Sequence, residues 1–75
     1  MAALIKAGAL WYRRVKSSRR LYAWSRDRDA ATAFDRNLTA ISVGARLSVE
    51  AGLVEVVDAA DGHLIATCED GRMQR

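Results

Sequence analysis

The 75-residue chain has no proline, a single cysteine (Cys68) and a single histidine (His63). Without a second cysteine there is no internal disulfide, and one cysteine with one histidine falls short of a structural zinc site. With no proline, no repeat and no low-complexity tract, nothing marks a linker, so residues 1–75 read as one domain. No stretch approaches the ~18 uninterrupted apolar residues of a membrane span. Lys6 breaks the N-terminal apolar run, and no signal peptide is read there. The expectation is a soluble cytoplasmic protein with no cofactor and no membrane contact. Paired helix-borne carboxylates, a phosphate-cradling glycine loop and a nucleophile motif are all missing. His63 beside Asp58 and Asp61 can be drawn as a base with an orienting carboxylate, but a lone histidine at a hairpin turn is ordinarily a solvated surface residue. No enzyme is expected.

Apolar residues make up 51% of the chain and charged residues 28%, a globular balance that argues against disorder. A chain this short buries only about 60% of its unfolded surface, so its core is thin and association is a natural source of further stability. The net charge of +3 conceals an asymmetry. Residues 1–26 hold Lys6, Arg13, Arg14, Lys16, Arg19, Arg20 and Arg26 with no acid, whereas 50–70 hold Glu50, Glu55, Asp58, Asp61, Glu69 and Asp70 with no lysine or arginine. Such a division can be neutralised within the fold, can drive association, or can present a basic patch to nucleic acid.

The central stretch predicts one helix over 26–51. Ser25, Asp27 and Asp29 offer capping oxygens and negative charge at its start, and Gly52 offers a left-handed stop. Ala30, Ala31, Phe34, Leu38, Ile41, Ala45 and Val49 then share one apolar face, with Phe34 and Leu38 expected in the core. A strand over 41–49 is the rival, because Ile41, Val43, Ala45, Leu47 and Val49 alternate with polar or small residues. In the preferred helix, Ala40, Val43 and Leu47 form a second apolar patch on the opposite side.

Residues 9–25 predict a hairpin with a polar turn at Lys16–Arg19, placing Trp11 opposite Trp24, Arg13 opposite Tyr22, and Val15 opposite Arg20 on one face. Residues 53–69 predict a second hairpin turning at Ala59, Ala60, Asp61 and Gly62, with Asp58 facing His63. Val54, Val56, Ile65 and Thr67 then lie on one side, and Leu53, Val57, Leu64, Ala66 and Cys68 on the other. Residues 1–8 are left open, and 70–75 are expected to fray.

The resulting fold class is α+β: a two-layer domain with an antiparallel sheet from two hairpins packed on one long helix. Trp11, Arg13, Arg14, Lys16, Arg19, Arg20 and Tyr22 are the candidate partner or nucleic-acid surface, basic groups interleaved with aromatics that can grip phosphates and stack bases. Val43, Leu47, Leu53, Leu64 and Cys68 are the candidate interface of a two-fold homodimer. The hairpin, helix, hairpin layout over Ala9–Cys68, in a small motif-free chain with an alanine-rich helix, resembles that of several phage-encoded anti-CRISPR proteins. The resemblance implies a stoichiometric inhibitor in the host cytoplasm that binds a CRISPR effector complex and blocks target DNA. It carries over no site residue. A small nucleic-acid-binding module using the same basic hairpin is the alternative.

Overall fold

Ala3, Leu4 and Ile5 are the most deeply buried consecutive residues near the N-terminus, at 0%, 5% and 0% exposure, and they form the strand from which the sheet grows in both directions. The computed structural model describes residues 2–15 and 22–74. The elements are β1 (Ala3–Ala7), β2 (Leu10–Arg14), β3 (Tyr22–Ser25), a single 3-10 turn (Arg28–Ala30), α1 (Asn37–Ala51), β4 (Leu53–Asp58), β5 (Leu64–Glu69) and β6 (Arg72–Gln74). They build one six-stranded sheet in the order β3-β2-β1-β4-β5-β6, with every pairing antiparallel. Each half is a meander, and α1 carries the chain back from the outer strand β3 to the central pair β1 and β4. The architecture is thus a small α+β domain with an antiparallel sheet on one helix.

The helix is shorter than expected. Residues 26–36 are not part of it, because the Asp27 carboxylate accepts from the backbone N of Asp29 at 2.9 Å and closes the short 3-10 turn instead. After that turn the chain runs extended and wedges between strands. Thr32 N donates to Tyr12 O at 3.0 Å, Arg14 N donates to Thr32 Oγ1 at 2.7 Å, and Phe34 exchanges backbone bonds with Ala3 at 2.8 and 2.9 Å. Beyond the pairs Lys6↔Trp11 and Ala7↔Leu10, this segment therefore separates β1 from β2.

The helix also presents the face opposite to the expected one. Ala40, Gly44, Leu47 and Ser48 are buried, while Leu38 is 80% and Val49 68% exposed. The reason is close approach: a Cβ at Gly44 would already stand 3.4 Å from Cys68 Sγ and from a Val56 methyl. Small residues on this stripe let α1 settle onto β4 and β5, and the bulkier side chains are left at its flanks and back. Phe34 is in the core as expected, at 5% exposure, but as part of the wedge rather than of the helix.

Both hairpin registers depart from expectation by one residue. In the first, Tyr12 pairs with Trp24 and Arg14 with Tyr22, while Trp11 pairs with Ser25 and Arg13 with Ala23. An odd-numbered connection, residues 15–21, accompanies this offset, which puts Tyr22 and Trp24 on the side of Tyr12 and Arg14 and not on that of Trp11 and Arg13. In the second, the turn-proximal register holds, with Asp58 N donating to His63 O at 2.9 Å and Val57 opposite Leu64. A bulge between Val56 and Val57 on one strand, opposite Leu64 to Ala66 on the other, then shifts the pairing to Val56↔Ala66 and Val54↔Cys68. These four residues, with Ala3, Ile5 and Tyr12, make the sheet side of the core. The tail does not fray at Arg72–Gln74. The Asp70-Gly71 turn, with φ of 53° and 83°, has the left-handed pair that a two-residue hairpin requires, and it returns β6 onto β5.

Candidate interaction surface

Of the residues expected to form the basic and aromatic surface, Trp11, Arg13, Arg14 and Tyr22 are described, whereas Lys16, Arg19, Arg20 and the turn they occupy lie outside the described residues. The structure divides the four between two faces of the β2–β3 ribbon. Arg13 and Trp11 face outward, on the side of the sheet without a helix, and Arg14 and Tyr22 face the helix side. On the outer side, Lys6 Nζ and Arg28 Cζ each lie 5.6 Å from the centroid of the Trp11 ring. Lys6 also approaches Glu55 at 3.9 Å, and Arg28 donates to Ala59 O at 2.6 Å. The π surface of Trp11 is thus engaged by cations of its own chain.

On the helix side the footprint of α1 falls on β4, β5, β1 and β6. The inner face of β2–β3 is left as one wall of a groove of about 470 Å³. Tyr12 and Tyr22 form its sheet wall, and Val43, Leu47 and Glu50 its helix wall, with Arg14 and Arg46 bringing cations to opposite sides. Tyr12 is stacked on Phe34 with centroids 5.8 Å apart, and Trp24 meets both tyrosines edge-on at 6.3 and 6.2 Å. The aromatic wall is thus assembled by contacts among its own rings. Tyr22 donates its hydroxyl hydrogen to Glu50 at 3.1 Å across the gap. Partial burial, then the bond to the neighbouring carboxylate, raise the Tyr22 phenol above its ordinary value. A second depression, bordered by Ala7, Leu10, Trp24, Ala51 and Leu53, lies beyond it at the C-terminal end of α1.

The five residues expected at a dimer interface separate in the same way. Leu47 and Cys68 are buried between α1 and the sheet, at 7% and 0% exposure, and are not surface groups. Burial also pushes the Cys68 thiol above its ordinary value. Val43 borders the groove, while Leu53 and Leu64 are 51% and 53% exposed. The register places Leu64 on the side of the sheet away from the helix, whereas Leu53, directly after the helix stop, also borders the depression at Ala51.

At the β4–β5 turn, Asp58, Asp61 and His63 hold donor atoms within 4.8 Å of one another. Each carboxylate is occupied in closing the turn: Asp58 accepts from Ala60 N at 2.7 Å, and Asp61 accepts from His63 N at 3.0 Å while facing His63 Nδ1 at 2.6 Å. The backbone N–H of His63, then its ring, lower the Asp61 carboxyl below its ordinary value. Among the described residues, no helix is long and apolar enough to cross a membrane.

Sequence reasoning missed Tyr12, Trp24 and Arg46 as groove residues. The alternation of Tyr12 with Arg14 and of Tyr22 with Trp24 carried the signal, but only a one-residue change of register reveals that both pairs share the core side. Compared with protein-family models, with curated proteins and with solved structures, the chain matches none.

Proposed function

We propose that this chain is a non-enzymatic interaction protein that acts by occupying a surface on a larger acidic or phosphate-bearing partner, with the β2–β3 ribbon as the part that makes contact. One observation carries the reading. Arg13 and Arg14 are both exposed on the outermost hairpin of the sheet, and among the described residues neither has a carboxylate within 4.0 Å, whereas Lys6 is matched by Glu55. Lys16, Arg19 and Arg20 belong to the same hairpin by sequence and add to its charge. Arg14 lies 5.9 Å from the centroid of the Phe34 ring, and cations that no carboxylate neutralises favour fast, oriented encounter with an opposite surface.

In its finer form the proposal follows the anti-CRISPR resemblance: a cytoplasmic, stoichiometric inhibitor of a CRISPR effector, blocking target DNA. Its test is target-DNA binding by the effector of the same host, titrated with the protein. Loss of binding complete near one equivalent, abolished in an Arg13→Glu, Arg14→Glu variant, is the expected result. Unchanged binding in excess protein would reject this form.

Free nucleic acid is the alternative partner, supported by the charge of the ribbon. The engaged ring of Trp11 weighs against it, since base stacking would have to displace Lys6 or Arg28. Binding to DNA or RNA oligonucleotides that weakens steeply with salt is what that alternative requires. Two-fold pairing through the outer sheet face is a second proposal, resting on the exposed Leu53 and Leu64. Light scattering at low micromolar concentration reads it directly, and a monomer unaffected by concentration would reject it.

A further inference from the structure

β3 is an edge of the sheet, and the bonds of its neighbour reveal which of its backbone groups point outward. In an antiparallel strand the N–H and C=O of one residue point the same way, and successive residues alternate. Tyr12 O and Arg14 N both point away from β3, to Thr32. Trp11 and Arg13 are therefore the residues that bond to β3, through their partners Ser25 and Ala23. It follows that the N–H and C=O groups of Tyr22 and Trp24 are directed out of the sheet. Among the described residues, neither backbone has a partner on that side. The side chains of the same two residues border the groove region beside α1, so the free backbone edge and the apolar gap lie side by side.

We propose that this edge takes an extended acidic peptide from another protein as a seventh strand, with alternating apolar and acidic side chains. The proposal rests on the ribbon being the interaction surface and names what it recognises. Backbone bonds to Tyr22 and Trp24 hold the peptide in register, and every second side chain, apolar or aromatic, enters the gap beside the aromatic wall. The intervening side chains stand on the outer face, in row with Ala23 and Arg13. An added strand lies about 4.8 Å beyond β3. Ala23 is small, so the apolar stem of Arg13 can lie across it and bring the guanidinium to a carboxylate on the added strand.

Charge selects the occupant. A second copy pairing edge to edge through β3 would set Arg13, Arg14 and Arg26 against the same residues of its twin, and pairing through β6 would bring Arg72 to them. Like charges placed so disfavour the homotypic seam. An acidic strand meets the same groups favourably.

The test is a selection of random peptides displayed against the full chain, followed by synthesis of the enriched sequences. The expected peptides alternate apolar with Asp or Glu, and they lose affinity by about tenfold or more when N-methylated on the bonding residues. They slow amide exchange at Tyr22 and Trp24, and they fail against Ala23→Glu, a variant that fills the acidic row from within while circular dichroism confirms the fold. Peptides that bind, depend on Arg13 and leave the Tyr22 and Trp24 amides exchanging freely would overturn the added strand and leave the ribbon as the interaction surface. No enriched peptide, with a single-stranded oligonucleotide bound instead, would overturn it in favour of nucleic acid. Failure of every ligand would remove both this inference and the reading on which it rests.

Discussion

Ser48 Oγ accepts a hydrogen bond from Gly71 N at 2.8 Å while donating its own hydrogen to Ala45 O at 2.7 Å. One buried hydroxyl thus fastens α1 to the β5–β6 turn, at a site with 0% exposure. Ser48→Ala leaves the Gly71 N–H without its partner, and a loss of about 1–3 kcal/mol in urea unfolding is expected. An unchanged midpoint would show that the turn finds another acceptor.

Position 44 sets the helix-to-sheet distance. Gly44→Ala gains helix propensity of about 1 kcal/mol, and its Cβ meets Cys68 Sγ and Val56 at 3.4 Å without serious overlap. Thermal melts should find it neutral to stabilising. Gly44→Leu forces α1 off the sheet and should cost about 1–3 kcal/mol or more. Equal stability of the two variants would contradict the close approach.

Phe34→Ala should cost about 3–5 kcal/mol, enough to unfold much of a marginal small domain. Leu38→Ala, at 80% exposure, should change stability by no more than about 0.5 kcal/mol. Chemical denaturation of the pair distinguishes the wedge from the back of the helix, and a large loss at Leu38 would reverse the assignment of faces.

The Tyr22 phenol titrates above its ordinary value in the folded chain. A raised value means that the associated stability is present below the ordinary phenol value and is lost as pH rises through the folded one. Tyr22→Phe should therefore flatten the alkaline fall in stability and remove the late step from an ultraviolet phenolate titration. The same late step persisting in the variant would show that it does not belong to Tyr22.

Cys68 is buried, and its thiol is raised by that burial. Labelling by a thiol-specific disulfide reagent should be slow in the native protein at mildly alkaline pH and fast in urea. Fast native labelling would place the thiol at the surface, where a bridge between two chains becomes feasible.

The turn chemistry at Asp61-Gly62 and the helix stop at Gly52 were legible in the sequence because each depends on one or two residues. The bulge near Ile65 was not, and one extra residue there reassigns every side chain beyond it. The buried helix face was concealed for a different reason. Close packing selects Ala40, Gly44 and Ser48, whose own hydrophobicity is slight, whereas Leu38 and Val49 advertise a face that stays in water. At the N-terminal end, Asp27 offered a cap that the chain uses for a different turn, and Arg36 enters α1 with no side-chain cap at all. The individual residues of the candidate surface were legible from charge and aromatic content, and alternation separated Arg13 from Arg14, but the side taken by Tyr22 and Trp24 was not legible, since it depends on a register set by an odd-numbered connection.

The wedge at 32–34 gives the β2–β3 ribbon the mechanics of a cantilever. Its root is the pair of contacts Lys6↔Trp11 and Ala7↔Leu10, and further out it is braced by the bonds from Thr32 to Tyr12 and Arg14. The brace is the same strand of chain that leads, through Phe34, to the first turn of α1 at Asn37. Force taken up along the free edge of the ribbon is thereby shared between β1, through the root and the Phe34–Ala3 bonds, and the entrance of the helix.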